Sequence, residues 1–381
     1  MTFSAPVWCE VDLKAIAHNI RELKRITNPS AEFMAVVKAN AYGHGAYQVA
    51  RVALENGATR LAVARVKEGV ALRLAGIDAP ILILGYTVLD DYRTLLDYDL
   101  TQTVYSLLMA EQLSSLAAQL GKKAKVHIKV DTGMGRLGVC TYGTGPNYEK
   151  AVNEITSIVS LSHLEVEGIY THFATADSRD KTHAMQQWYS FNDLLTALAK
   201  NGLTFQYRHA ANSAALIDLP ETHLDLVRAG IAIYGIPPSH EVMAERVSLK
   251  PAMCVKARVA HVKRVPAGTG ISYGITYVVP ADTEVATIPA GYADGYNRLL
   301  SSRGQVLLRG QRVPVIGRVC MDQFMVDVGG VPGVEPGEEV VLMGRQDKEE
   351  VSAWEIAEKI GTIAYEVLCM VSARVPRYYI H

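Results

Sequence analysis

A lysine at the end of an apolar run is the residue of this chain best placed to carry out chemistry. Lys38 lies in the run 33–39, where most of its neighbours are apolar. Such surroundings lower the pKa of a lysine and leave a neutral amine that can attack a carbonyl, as a Schiff-base lysine must. A lysine that simply emerges into solvent would show the same local pattern. The stretch VVKANAYGHG also supplies glycines for tight turns and Tyr42, which can reach a phosphate.

A second set of residues could bind an anion. Arg228 ends another apolar run and is followed by Gly230 and Ile231, while Asn212 and Ser213 follow the run before it. Donors placed after the last two strands of an α/β barrel often hold a phosphate. A helix cap at the Asn-Ser pair and a salt bridge at the arginine are the simpler alternatives.

A third cluster lies in KVDTGMGRLG, which brings Lys129, Asp131 and Arg136 to one strand end. A buried ion network would explain this cluster equally well. The glycines between 133 and 138 match the GxGxxG pattern of dinucleotide sites, which requires a helix to begin at once. The residues YGTGP (142–146) delay any helix, so the dinucleotide interpretation is disfavoured. The GxxxxGK[ST] and HExxH patterns do not occur, and no metal is expected.

These side chains need a scaffold, and the chain supplies strands that alternate with helices. Apolar runs predict eight strands, each but the last followed by a helix or a short link. The strands are predicted at 33–39, 60–66, 80–86, 100–106, 125–131, 166–173, 205–211 and 224–230. The helices are predicted after Asp12 and at 46–56, 67–75, 107–120, 147–159 and 184–200. Eight β/α units predict an α/β fold, with a TIM-like (β/α)8 barrel over residues 1–240.

The polar residues fall where this fold would place a site. In such barrels the catalytic side chains lie at the carboxyl ends of the strands. Those ends carry Lys38, Arg65, Ser106, Asp131, His172, His209 and Arg228. The pattern therefore predicts one site at the carboxyl-terminal rim of the barrel.

From residue 241 to 381 the pattern changes to a mostly β domain, with which the first ten residues or so could pack. Strands are predicted at 253–264, 283–289, 305–309, 312–319, 323–328, 338–343 and 365–371. A single helix is predicted after Ser352, where SAWE forms a capping box.

Composition excludes several classes of protein. The 381 residues carry a formal net charge of −1, which gives no reason to expect nucleic acid or an anionic membrane as a partner. No apolar run is long enough to span a bilayer, and the first residues do not resemble a signal peptide. The five scattered cysteines suggest reduced thiols, so a cytoplasmic protein is expected.

Nine stretches, in order along nearly the whole chain, resemble the bacterial alanine racemases. They are VVKANAYGHG, KVDTGMGRLG, YTHFATAD, HAANSAA, VRAGIAIYG, GISYG, GYADGY, GRVCMDQFMVD and VPRYY. The resemblance implies a homodimer of barrel and β domains with shared sites, which racemises alanine by a two-base mechanism on a pyridoxal phosphate aldimine. D-Alanine for peptidoglycan would be its product.

The resemblance also assigns the cofactor-binding residues. Lys38 matches the Schiff-base lysine, and Arg228 matches the arginine that faces the pyridine nitrogen, with His172 and His209 beside it. An arginine stays protonated and leaves that nitrogen without a proton, which disfavours side reactions. The phosphate would be held by Tyr42, Ser213, Tyr365 and the backbone amides of Gly230 and Ile231.

The same comparison assigns the catalytic and substrate-binding residues. Tyr273 matches the second base, contributed by the partner subunit opposite Lys38. Arg136, which also lies at the cofactor, and Met321 match positions that contact the substrate carboxylate. Lys129 matches a lysine that is carbamylated in many members and orients Arg136. Tyr292 and Tyr365 match tyrosines that narrow the channel to the site.

The chain departs from the family sequence pattern at one position, and three alternative functions stay open. The family usually has Ile-Asn-Tyr where this chain has Ile363-Ala364-Tyr365, which bears on strict selectivity for alanine. A racemase of another small amino acid, such as serine, is the first alternative. A barrel decarboxylase with the same cofactor usually prefers an acidic partner for the pyridine nitrogen. A non-catalytic pyridoxal phosphate carrier would resemble the barrel alone.

Overall fold

A computed structural model describes residues 5–141 and 146–381 of the chain. The chain divides into two compact units. One comprises Ala15–Ala41 and Ala46–Lys250, and the other comprises the chain up to Lys14, the short segment Tyr42–Gly45 and Pro251–His381. We call them the barrel unit and the β unit.

The barrel unit is built on the parallel strands that the apolar runs predict. In chain order, barrel strands 1 to 8 are Glu32–Val36, Arg60–Val63, Ile81–Ile83, Thr101–Val104, Ala124–Asp131, Leu164–Tyr170, Tyr207–His209 and Leu226–Ala229. Strand 8 pairs in parallel with strand 1. Strands 7 and 8 are joined by backbone hydrogen bonds from Asp225 N to Arg208 O (3.1 Å) and from Arg228 N to Ala211 O (3.0 Å). The predicted (β/α)8 barrel is therefore confirmed.

Helices follow the strands and cover them, which explains why the strands are apolar along their whole length. The first helix is Leu13–Ile26, and later ones are Ala46–Glu55, Val66–Leu74, Tyr92–Asp97, Leu107–Gln119, Pro146–Val159, Thr182–Lys200 and Ser213–Asp218. Ser106 caps one of them by accepting a hydrogen bond from Met109 N at 3.3 Å. The role of this rim serine is therefore structural. Val139–Cys140 adds a short strand beside strand 5.

The β unit is dominated by one sheet in the described residues. Its strands, in spatial order, are His261–Val265, Thr283–Ile288, Phe324–Asp327, Gln311–Ile316, Gln305–Leu308, Glu339–Gln346, Met253–Arg258, Val7–Asp12 and Arg377–Ile380. Glu349–Val351 pairs with Glu339–Gln346, and Gly270–Ile271 pairs with Tyr277–Val278 in a separate hairpin. The helix Ala353–Ile360 is capped by Ser352, whose hydroxyl accepts from Glu355 N. This is one half of the predicted capping box, because the Glu355 carboxylate binds Arg312 and Lys359.

Two predictions in this unit are wrong. The run 253–264 is two strands, since Met253–Arg258 and His261–Val265 pair with different partners. The predicted strand 365–371 is the helix Ala364–Met370. Its apolar residues 364, 367, 368 and 371 recur at helical spacing and are buried, while apolarity alone does not distinguish a strand from a helix.

Within residues 5–141 and 146–381, no helix combines the length and the apolarity that a membrane crossing needs.

Candidate active site

A buried arginine organises the rim of the barrel unit. Arg228 lies on strand 8 with 4% of its surface exposed. One terminal nitrogen contacts Nδ1 of His209 at 2.9 Å. The other contacts the carbonyls of Thr171 and Ala210, both at 2.9 Å, and Nδ1 of His172 at 3.1 Å. All four acceptors are uncharged if the histidines are neutral.

The environment keeps this arginine charged and its histidines neutral. Burial lowers the pKa of Arg228 to about 10, which still leaves it protonated near neutral pH. Burial, followed by the charge of Arg228, holds the pKa values of His172 and His209 well below the usual range. Within the described residues, Arg228 has no carboxylate partner, and its Nε–H makes no hydrogen bond. The site therefore offers a fixed cationic donor whose Nε–H has no partner among the described residues.

Tyr170, on strand 6, forms an aromatic platform beneath these groups. Its ring stacks on His209 with centroids 4.6 Å apart, and the guanidinium of Arg228 lies 5.1 Å from its centre. The ammonium of Lys129 lies 5.8 Å from the same centre. Burial, and then the charges of Arg136 and Arg228, lower the pKa of Lys129 to about 8. This lysine therefore has a substantial neutral fraction near physiological pH.

Asp131 shapes the loop that presents Arg136. One carboxylate oxygen accepts the backbone N–H groups of Gly133 (3.1 Å), Met134 (2.9 Å) and Gly135 (3.1 Å), and the other accepts that of Arg136 (3.0 Å). Burial opposes ionisation of Asp131, but these four donors leave its pKa below the usual value. In the part of the chain that the structure describes, the exposed Arg136 side chain makes no hydrogen bond or ion pair. Its guanidinium is thus available to an anionic ligand.

The glycine-rich stretch is a turn and not a nucleotide loop. A side chain at Gly138 would collide with the backbone of Val130 and Asp131, because the chain folds back on strand 5 there. Val139–Cys140 follows as a strand, and the next helix begins at Pro146. The absence of a helix across 133–141 agrees with the disfavoured dinucleotide interpretation.

Lys38 begins a left-handed turn at the end of strand 1. Ala39, Asn40 and Ala41 have φ values of 52°, 53° and 54°, which cost L-residues roughly 1–2 kcal/mol each. Glu68 offsets part of this cost, since it accepts the backbone N–H of Ala39 at 2.6 Å. The amide oxygen of Asn40 accepts the N–H of Ala46 at 2.9 Å. The turn that follows the lysine is therefore held from both sides.

A group of donors follows strands 7 and 8. The hydroxyl of Ser213 accepts the N–H of Gly230 at 2.8 Å and that of Ala232 at 3.5 Å. Gly230 immediately precedes the short 3-10 helix Ile231–Tyr234. This is the location at which α/β barrels commonly bind a phosphate group.

Lys38 lies close enough to the other cations of the barrel unit to affect them. Its charge contributes to lowering the pKa values of Lys129 and His172, and Arg136 contributes to both as well. The structure therefore brings Lys38, Lys129, Arg136, His172 and Arg228 to one end of the barrel.

Two tyrosines predicted to bind phosphate meet within the β unit. The rings of Tyr42 and Tyr365 lie 6.1 Å apart, tilted by 48°. Tyr365 is in the first turn of the helix Ala364–Met370. Ala364 is fully buried, so the departure from the family pattern faces the core of the unit.

The other predicted residues of the β unit lie on exposed loops. Tyr273 stands at the tip of the Gly270–Val278 hairpin with 73% of its surface exposed. The hydroxyl of Ser272 anchors this tip to the carbonyl of Arg318 at 2.8 Å. Tyr292 and Met321 are joined through their loops, because the N–H of Tyr292 donates to Cys320 O at 3.1 Å. These loops present three exposed side chains on one anchored surface.

Comparison with known proteins decides the family. A family model described as the N-terminal domain of alanine racemase matches residues 11–238, and one described as its C-terminal domain matches residues 252–379. The chain belongs to the alanine racemase family. Alanine racemases of Desulforamulus reducens and Desulfosudis oleivorans are 53% and 54% identical to it, over 98% and 99% of this chain and 99% and 97% of theirs.

Solved structures of alanine racemases share the whole architecture. The enzyme of Clostridium difficile has a TM-score of 0.93 and 39% identity, over 100% of this chain and 97% of that one. The Bacillus anthracis alanine racemase with bound L-Ala-P has a TM-score of 0.91 and 41% identity, over 100% and 96%. The Bartonella henselae alanine racemase with covalently bound pyridoxal phosphate has a TM-score of 0.87 and 28% identity, over 99% and 100%.

Three residues that the structure places near the candidate site were not identified from the sequence. Glu68 could have been identified from its position three residues after Arg65, at the start of a helix, where a carboxylate can cap backbone N–H groups. His127 is a polar residue inside the apolar run of strand 5. Nothing in the sequence marks Tyr170 as the platform, since a tyrosine is ordinary in a strand.

Proposed function

We propose that this protein interconverts L-alanine and D-alanine with pyridoxal 5'-phosphate as its cofactor. The observation that carries the proposal is the setting of Arg228, a buried guanidinium with neutral partners whose Nε–H makes no hydrogen bond to the residues that the structure describes. A protonated arginine donates a hydrogen bond to the pyridine nitrogen and gives it no proton. This favours a racemase over the decarboxylases, which place an acid there.

The residues fit the proposed cofactor. The hydroxyl of Ser213 accepts the N–H of Gly230, which leaves its own O–H to donate to a phosphate, and Lys38 lies at the end of strand 1 among other cations. We assign further phosphate contacts to Tyr42, Tyr365 and the backbone N–H of Ile231. When bound, the cofactor supplies stabilisation of the negative charge that develops on the α-carbon.

Racemisation requires that a proton leave one face of the α-carbon and return to the other. We assign Lys38 Nζ to the D-alanine face and the Tyr273 hydroxyl to the L-alanine face. A tyrosine has a reference pKa of about 10, so its phenolate needs a donor. Because Nδ1 of His172 faces Arg228, its proton belongs on Nε2, and we propose that this N–H donates to Tyr273.

The site is proposed to be shared by two subunits of a homodimer. Tyr273, Tyr292 and Met321 are exposed on anchored loops, and a group of large exposed side chains of this kind is typical of a surface that contacts another protein. In this proposal Arg136 and Met321 bind the substrate carboxylate, a carbamate on Lys129 orients Arg136, and Tyr292 with Tyr365 narrows the channel.

Since Ala364 is buried, it gives no reason to expect a wider channel, and alanine remains the proposed substrate over serine.

The proposed setting is the cytoplasm, where the enzyme supplies D-alanine for peptidoglycan. The direct test is chiral chromatography of L-alanine after incubation with protein and pyridoxal phosphate, with serine as a parallel substrate. We expect an approach to equal amounts of both alanine antipodes and much slower turnover of serine. Serine turnover equal to that of alanine would point to the broader racemase, and no racemisation of either would reject the function.

A covalent test addresses Lys38. Borohydride should trap pyridoxal phosphate on this lysine and remove an absorbance band near the visible. Lys38→Ala should show neither the band nor the labelled peptide. Lys67→Ala, which changes an exposed lysine on the helix Val66–Leu74, should retain both. A reducible band that persists in Lys38→Ala would contradict the assignment.

A further inference from the structure

A line of polar side chains runs from Arg228 through the interior of the barrel. Nδ1 of His209 contacts Arg228, and Nε2 of His209 contacts Nδ1 of His127 at 2.8 Å. Nε2 of His127 faces Oε2 of Glu167 at 3.6 Å. Arg228, His209 and His127 are almost completely buried, and the Glu167 side chain is 14% exposed. Strands 5, 6, 7 and 8 thus contribute one residue each.

The guanidinium end favours one direction for the protons in this line. Arginine donates and cannot accept, so Nδ1 of His209 must carry a lone pair. Neutral His209 then has its proton on Nε2 and donates it to His127 Nδ1. Neutral His127 in turn has its proton on Nε2. Burial lowers the pKa values of both histidines, which supports the neutral forms.

The Glu167 end of the line favours the same direction for the protons. A carboxylate only accepts, and Oε2 of Glu167 is the group that faces Nε2 of His127. At 3.6 Å the contact is longer than a hydrogen bond, and within the described residues this nitrogen has no other hydrogen-bond partner. Reversal of the line would point an N–H of His209 at Arg228, where two donors repel each other.

We propose that Glu167 and His127 are positioning residues, which set the tautomer of His209 and thereby the orientation of the Arg228 guanidinium. Neither touches the reacting atoms, and both act through His209. The catalytic consequence rests on the proposed function, but the tautomers do not. Polar contacts inside a low-dielectric core are strong enough to bias a neutral histidine toward one tautomer.

A purely structural role for Glu167 is the competing explanation. Glu167 lies 3.8 Å from a terminal nitrogen of Arg60, whose Nε donates to Glu32 at 3.1 Å. Glu32→Gln therefore provides a matched control. It removes a carboxylate from the same ion cluster without touching either histidine of the line. A structural role predicts the same result for changes at Glu32 and Glu167.

The experiment reads the tautomers directly by 15N NMR of histidine side chains in the full-length protein as purified. The native protein should show His127 and His209 protonated on Nε2. Glu167→Leu, which has no acceptor, should give a mixture with protons on Nδ1 of both rings. Glu167→Gln retains an acceptor oxygen and should restore the native tautomers, and Glu32→Gln should not change them. Native tautomers in Glu167→Leu, or an equal change in Glu32→Gln, would overturn the proposal.

His127→Phe gives a second route if the leucine variant does not fold. It removes the acceptor of His209 Nε2 and should place part of the His209 protons on Nδ1, whereas an unchanged His209 would count against the proposal. Racemase activity of Glu167→Leu should fall about two- to thirty-fold, in kcat more than in KM, as for residues coupled through packed networks. If the tautomers shift in a protein that does not racemise alanine, the inference stands and the proposed function fails.

Discussion

The carboxylate of Glu68 holds the residue that directly follows Lys38, because one of its oxygens accepts the backbone N–H of Ala39 at 2.6 Å. Its other oxygen accepts the N–H groups of Ala64 (2.8 Å) and Arg65 (3.0 Å) at the end of strand 2. The turn after strand 1 is thereby joined to the neighbouring strand. The position of Lys38 depends on this side chain as well as on its own strand.

Removal of this anchor should weaken both the fold and the lysine site. In Glu68→Gln the amide nitrogen cannot accept, so at least one backbone N–H loses its acceptor. Because Ala39 is exposed and water can replace that acceptor, the cost should be about 0.5–1.5 kcal/mol. Urea unfolding should show that loss, and borohydride labelling of Lys38 by pyridoxal phosphate should slow. Glu55→Gln, which breaks an exposed pair with Arg51, should change stability by less than about 0.5 kcal/mol. Equal stability of the two variants would show that Glu68 is not an anchor.

A shared site predicts complementation between two inactive variants. Lys38→Ala lacks one proposed base and Tyr273→Phe the other, and phenylalanine keeps the ring while removing the hydroxyl. Random exchange of subunits makes half of the dimers hybrid, each with one intact site, so about a quarter of native activity should return. Subunit exchange is verified by native mass spectrometry. If hybrids form and remain inactive, each site is built from one subunit.

Lys129 should react with carbon dioxide because its pKa is about 8. The neutral amine is the reactive form, so at a fixed pressure of 13CO2 the carbamate signal in 13C NMR should grow as the pH rises from about 7 to 8. Lys129→Ala should lose the signal. Lys125→Ala, on the same strand and paired with Asp99 at 2.9 Å, should keep it. A signal that survives in Lys129→Ala belongs to another amine.

Acid should destabilise the barrel through its buried histidines. The folded-state pKa values of His127 and His209 are lowered, first by burial, so the unfolded chain binds more protons below about pH 6.5. The free energy of unfolding should therefore fall as the pH falls, by up to about 1.4 kcal/mol per pH unit for each histidine. Above about pH 7 both histidines are neutral in the folded and the unfolded chain, and this loss of stability should be absent. Urea midpoints between about pH 5 and pH 7.5 measure this slope. His127→Gln should reduce the slope of stability against pH, whereas His261→Gln, at an exposed position, should leave it unchanged. An unchanged slope in His127→Gln would refute the explanation.

The sequence by itself determined the barrel and the strand ends on which the site is built. Buried parallel strands appear in the sequence as short apolar runs. A polar residue at the end of such a run is therefore expected to lie at the rim of the barrel. Lys38, His209 and Arg228 were therefore found from local pattern alone. The resemblance of nine ordered stretches then determined the family.

The tertiary structure decided how those strand ends are connected. His127 and His209 lie 82 positions apart in the chain, and their 2.8 Å contact exists because strands 5 and 7 both pair with strand 6, so that the two rings meet across it. The segment 364–370 became a helix because its buried side chains recur with helical period against the β unit, although its apolarity also suits a strand. Local pattern fixes which residues are buried and where strands end, but contacts across the core depend on strand order, closure and packing.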